Sequence, residues 1–192
     1  MSSKLILASA SPRRTALLTQ LGIAHTVMPV DIDESALPDE SPFTQVERLA
    51  AQKAQAAFAR LDNADDAVIL ASDTLIALDG VSLGKPVDEA DSVRILSALS
   101  GRTHEVLTAI SVKSTERQVT ECITTRVQFA TLTEQQMAAY WATGEPQDKA
   151  GSYAIQGIGG QFVIAIDGSA SAVVGLPLYE TVQLLSAFGV VA

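Results

Sequence analysis

After Lys4 the chain begins with an unbroken apolar run, turns polar at "SASPRR", and then brings apolar residues back at helical spacing. The run "KLILAS" predicts a buried strand. Leu17, Leu18 and Leu21 form one stripe, Ser11 and Pro12 suit an N-cap and a first helical position, and Gly22 suits a stop, so "SPRRTALLTQLG" predicts a helix. "HTVMPV" predicts a second short strand and "DIDESALPDESP" a polar loop. Val46, Leu49, Ala50, Ala54, Ala57 and Phe58 then recur with helical period, predicting a helix from about Thr44 to Arg60. "AVILASDTLIAL" is the most apolar strand, and "DGVSLGKP" reads as a turn-rich connection.

The second half continues the alternation. "EADSVRILSALSG" predicts a helix ending at Gly101, and "THEVLTAISVKS" and "VTECITTRVQFATL" predict paired strands around the turn "TERQ". "TEQQMAAYWATG" predicts a helix, "GGQFVIAIDG" a strand running into an Asp-Gly turn, and "LPLYETVQLLSAFG" a final helix. Strands and helices alternate without linker, repeat or low-complexity stretch. The expectation is therefore one α/β domain over residues 1–192, with a mixed sheet and two lobes.

Composition narrows the partners. Of 192 residues, 47% are hydrophobic and 18% charged, as in globular proteins. The net charge of −9 argues against nucleic acid as a partner, because phosphate-backbone binding needs a basic surface. With only 13 Lys and Arg, a site for a polyanion must gather a few of them. No apolar run approaches the ~20 residues that span a bilayer, so no membrane association is expected. The lone Cys122 cannot form an internal disulfide, and no basic-then-apolar leader opens the chain. A cytoplasmic location is the expectation.

Several apparent motifs fail. "GVSLGKP" is one residue short of a P-loop and carries Pro86 where a metal-binding hydroxyl belongs. "GIGG" precedes a strand and does not open a helix. His25 and His104 alone do not make a zinc site, and His104 reads as a packing or surface residue.

Three segments can carry chemistry. In "ASASPRR" the loop and first helical turn direct backbone N–H groups outward, Ser9 and Ser11 add hydroxyls, and Arg13 and Arg14 add charge suited to phosphate. Two solvated arginines after a good N-cap are the alternative. Asp73 stands at the carboxyl end of "AVILAS", where open α/β sheets place ligand-binding groups, or else it caps the strand. "GEPQDKAGSYAIQGIGG" presents Gln156 among four glycines of its second part, suiting either close backbone approach to a ligand or a surface loop. Glu34, Lys53 and Lys85 are further charged candidates.

Together, "LILASASPRR", "ASDT", "GKP", "LSGRTHEVLTA", "TGEPQDKAG", "IQGIGG" and "VVGLPLYET" resemble, in order and spacing, the Maf family of nucleoside triphosphate pyrophosphatases. The resemblance implies a two-lobed α/β fold of the type shared with inosine triphosphatases, with the cleft between lobes. It implies hydrolysis of a nucleoside triphosphate to monophosphate and pyrophosphate with a divalent cation, Mg²⁺ or Mn²⁺. "DKAG" followed by "IQG" is similar to the dTTP/UTP branch, whereas the 7-methyl-GTP branch tends to carry an acid at the position of Gln156. Ala170 departs from the pattern, because an aromatic residue often follows "GS" in the dTTP/UTP branch, and this bears on the pocket wall.

By position, Asp73 matches the family's proton acceptor, and Arg13, Thr74 and Gln156 match positions linked to substrate choice. Ser9, Ser11, Arg14, Lys53 and Lys85 fall in the phosphate-binding cleft, with Glu34 and Asp73 toward the metal. Asp73 would activate a water for attack at the α-phosphorus. A homodimer is implied by the family alone. The competing readings are a 7-methyl-GTP pyrophosphatase and a nucleotide-binding regulator of cell division with little turnover.

Overall fold

The computed structural model describes residues 4–190. Its centre is a mixed seven-stranded sheet in the order β2-β1-β3-β5-β6-β7, with β4 also paired to β3. The strands are β1 (Lys4–Leu7), β2 (Thr26–Val27), β3 (Ala67–Leu78), β4 (Val81–Leu83), β5 (Thr103–Lys113), β6 (Gln118–Phe129) and β7 (Val163–Asp167). β1 runs parallel to β2 and β3, and all other pairings are antiparallel.

The helices are α1 (Pro12–Gln20), α2 (Pro42–Phe58), α3 (Glu89–Leu99), α4 (Glu134–Trp141), α5 (Ala170–Val174) and α6 (Leu178–Ala187). α2 starts earlier than the apolar stripe predicts. Ser41 accepts a hydrogen bond from the Thr44 N–H and Pro42 occupies the first turn, so capping chemistry overrides periodicity at that end. Ser11 precedes α1 in extended conformation, but its side chain makes no cap bond. Thr133 and Gln136 close a capping box on α4.

Two expectations are corrected. "DGVSLGKP" is not merely a connection: Asp79 and Gly80, both at positive φ, make a tight turn that returns β4 along β3. The stretch before the last helix forms the short α5, begun by Ser169 and ended at Gly175 (φ 122°). Five residues are too few for a period to show in the sequence.

The long strand β3 is shared by two lobes. Its first half packs with β1, α1 and α6 on one face, through Leu5, Leu7, Leu18, Leu70 and Leu185, and with α2 on the other, through Ala54, Ala57, Ile69 and Ala71. Its second half joins α3, α4 and the start of β5 around Ile76, Leu96, Leu99, Phe129 and Tyr140. β1 pairs with residues Lys4 to Leu7 against Ala67 to Leu70, and β4 rejoins that edge only at Ile76. Residues 71–75 therefore face a gap on one edge while β5 covers the other. That gap is the mouth of the cleft.

Candidate active site

Asp73 lies in the middle of β3, which spans the whole of "AVILASDTLIAL" as expected, so it does not cap a strand end; pairing with β5 carries the strand on to Leu78. The parallel portion of the pairing stops at Leu70, where β1 ends. Alternation of side chains along a strand sends Asp73 toward α2 and Thr74 to the opposite face. At the gap both line one cavity of about 630 Å³.

On the α2 face, Lys53 Nζ donates to Asp73 Oδ1 at 2.7 Å and lies 2.5 Å from Glu34 Oε1. The Asp73 and Lys53 side chains are 8% and 11% exposed, whereas that of Glu34 is 52% exposed. Asp73 Oδ2 is buried and has no hydrogen-bond partner among the described residues. Burial pushes the Glu34 carboxyl up, but the hydrogen bond and charge of Lys53, with the charges of Lys85 and Arg14, hold it below its ordinary value. Gln45 steadies the loop, its amide donating to the Glu34 carbonyl at 3.3 Å.

On the other face, Arg14 is built into the wall. Its Nε donates to the Gly175 carbonyl (2.8 Å), Nη1 to Ser9 Oγ (3.3 Å) and Nη2 to Thr74 Oγ1 (3.3 Å). Thr74 Oγ1 also meets Thr108 Oγ1 at 3.1 Å, and Ser72 Oγ donates to the same Gly175 carbonyl. Burial lowers the Arg14 pKa, opposed by Asp73 and Glu34 and assisted by Arg13. An anion between the arginines would relieve that strain. Arg13 is exposed on the cavity rim.

Ser9 is placed behind this wall. It is 7% exposed, and its hydroxyl accepts from the Ser11 N–H and Arg14. Ser11, Lys85 and Gln156 line the cavity, the last two exposed. Ala170 is the exposed first residue of α5 and lies outside the lining, which α5 supplies through Val173 and Val174. The departure from the family pattern therefore does not touch the pocket wall.

The sequence reading missed several cavity residues. Asp148 and Lys149 sit inside the quoted "DKAG" without having been assigned a role, and they pair with each other at the rim. The hydrogen bond from Lys149 holds the Asp148 carboxyl below its usual range. Counting Lys149, five of the chain's 13 Lys and Arg residues (Arg13, Arg14, Lys53, Lys85, Lys149) line one cavity. That concentration was the condition for a polyanion site in an acidic chain. Tyr153 lines the apolar side near Ile76 and Val106, its hydroxyl 2.8 Å from Nε2 of the buried His104.

The glycines of residues 151–160 serve internal packing. A Cβ on Gly151 would fall 2.5 Å from the Ile76 side chain, and one on Gly159 would fall 2.5 Å from Tyr140 Oη. On Gly160 it would meet the Ile155 carbonyl at 2.5 Å. At these three positions the chain's own atoms come too close for a side chain.

Among the described residues no helix is long and apolar enough to cross a membrane, and no group of three or more acidic, His or Cys side chains stands ready for a metal. A protein named dTTP/UTP pyrophosphatase from Pseudoalteromonas translucida is 53% identical over 98% of both chains. Namesakes from Colwellia psychrerythraea and Aliivibrio fischeri are 54% and 50% identical, over 99% and 98% of this chain and 91% and 100% of theirs. The family described as Maf-like protein matches residues 4–188, and the chain belongs to that family.

Proposed function

We propose that the protein hydrolyses dTTP and UTP to the nucleoside monophosphate and pyrophosphate. The observation that carries this reading is the position of Asp73. It lines one cavity together with the cationic "SASPRR" wall and Gln156, in a chain about half identical to relatives named for that activity.

The phosphates would lie against Arg13, Arg14 and Lys85, where the guanidinium of Arg14 is already held in position by Gly175 and Thr74. Such preorganised cations stabilise charge that develops on a leaving pyrophosphate without further rearrangement. Asp73 uses Oδ1 for Lys53, which leaves Oδ2 to act on a water, as the proton acceptor itself or through a cation bound to it. If the base sits at Gln156 and the phosphates at the arginines, a water at Asp73 would attack the α-phosphorus and not the terminal one. Gln156 offers an acceptor for N3–H and a donor for O4 of uracil or thymine.

A divalent cation fits the donor set. Asp73, through its unpartnered Oδ2, and Glu34, through its solvent-facing carboxylate, would hold Mg²⁺ or Mn²⁺, with substrate oxygens completing the shell. When bound, the ion neutralises part of the triphosphate charge. Lys53 touches both carboxylates and keeps their mutual repulsion in check.

Chromatography of the products, with pyrophosphate measured separately, tests the reading. The monophosphate and pyrophosphate are expected from dTTP and UTP, and Gln156→Glu should lower activity on both. Accumulation of dTDP or UDP would refute the bond assignment, and a preference for 7-methyl-GTP would refute the base assignment.

A further inference from the structure

Gln156 is exposed, and no side-chain hydrogen bond holds its amide among the described residues. Its backbone, by contrast, is fixed on both flanks by groups that lie outside the cavity lining. The Glu145 carboxylate accepts from the Ile158 N–H through Oε2 and from the Gly159 N–H through Oε1, each at 2.9 Å. Tyr140 Oη donates to Oε1 at 2.6 Å and accepts from the Ala154 N–H at 3.1 Å. One continuous network thus ties residue 154 on one side and residues 158 and 159 on the other to the buried Tyr140 of α4.

The packing is as close as the bonding. A Cβ on Gly157, next to Gln156, would sit 2.2 Å from Glu145 Oε2, so the residue beside the base reader has to be glycine while the carboxylate is there. Burial pushes the Glu145 carboxyl up, but the Tyr140 and backbone hydrogen bonds, with the charge of Lys149, bring it below its ordinary value. It is ionised at neutral pH and accepts at both oxygens.

We propose that Glu145, acting with Tyr140, is the positioning residue for base selection. It fixes the backbone that carries Gln156, so that the amide meets the base at one depth and one angle. The inference rests on the pyrimidine reading given above. A fixed backbone sets how deep and at what angle the amide stands, which matches it to a pyrimidine edge and sets it wrongly for a larger purine. Glu145→Gln keeps size but replaces one acceptor oxygen by NH₂, which then opposes a backbone N–H.

The test is the ratio of kcat/KM for UTP to that for ATP, with hydrogen exchange at Ile158 and Gly159 as a second readout. In Glu145→Gln the ratio is expected to fall about tenfold, chiefly through a rise in KM for UTP, and both amides should lose protection. Tyr140→Phe, which keeps the ring packed on Phe162, should move both readouts in the same direction and serves if the first variant does not fold. Glu145→Asp, an acceptor one methylene short, should give an intermediate ratio. In a Gln156→Ala background Glu145→Gln should change the ratio no further, because both act through one amide. An equal loss on UTP and ATP, or an unchanged ratio with protection lost, would overturn the proposal. A wild-type protein without preference for UTP would instead overturn the functional reading beneath it.

Discussion

Replacing Lys53 by Met tests whether the cleft is held together by its own charges. The substitution keeps a long apolar stem and deletes the cation that touches both Asp73 and Glu34. Glu34 is half exposed and is simply re-solvated, so its share is small. Asp73 is different. With an 8% exposed side chain and one oxygen already lacking a partner among the described residues, it would remain buried as an uncompensated carboxylate.

Removing one member of such a pair costs about 3–5 kcal/mol. For a chain of this length each kcal/mol moves the melting midpoint by roughly 2–4 °C, so a loss of about 3 kcal/mol corresponds to roughly 6–12 °C. Asp73→Asn should behave asymmetrically, with a cost below about 1 kcal/mol, because Lys53 keeps Glu34 as its partner. The double variant Lys53→Met, Asp73→Asn removes both buried charges and should recover most of the loss. Urea unfolding of the four proteins at neutral pH measures all three quantities. A Lys53→Met variant within about 1 kcal/mol of the parent, or a double variant no more stable than it, would refute the reasoning.

Three further outcomes are expected. Asp73→Asn should reduce turnover at least ~100-fold with nucleotide affinity retained, and wild-type rates at saturating Mg²⁺ or Mn²⁺ would remove Asp73 as the base. Arg14→Ala should impair both folding stability and turnover, since it also bonds Gly175, whereas Arg13→Ala should raise KM in a salt-dependent way with stability unchanged; unaltered kinetics in both would leave the arginines as solvated charges. Burial pushes His104 down to about 4, so between that value and its ordinary pKa of about 6.5 the unfolded chain binds the extra proton and stability falls as pH falls. From pH 7.5 to 5 this amounts to about 2 kcal/mol, and a His104→Gln variant should show a correspondingly flatter stability profile by denaturant titration.

The elements were legible in the sequence because their causes are local. Apolar residues at helical or strand spacing, with Gly22 and Gly101 at positive φ where helices end, are settled within a few residues of chain, whereas the Ser41 cap that starts α2 early lies in a stretch that reads as loop. Family motifs likewise marked Asp73, Arg14 and Gln156 as candidates. What those residues do to one another was not legible. Lys53 meets Asp73 across 20 residues and Arg14 meets Gly175 across 161, and such pairings arise only when β3 and its neighbours close.

The full length of β3 was legible, but not which of its edges would stay open beside Asp73. A strand's end depends on its neighbours, and β5 supports β3 past the point where β1 stops. A glycine shows that something comes close but not what, and here it is Glu145, Tyr140 and the chain's own carbonyls. Local order follows from short-range sterics and capping. The site follows from a gap in one edge of the sheet, which exists only because two separate strands, β1 and β4, cover the same edge of β3 without meeting.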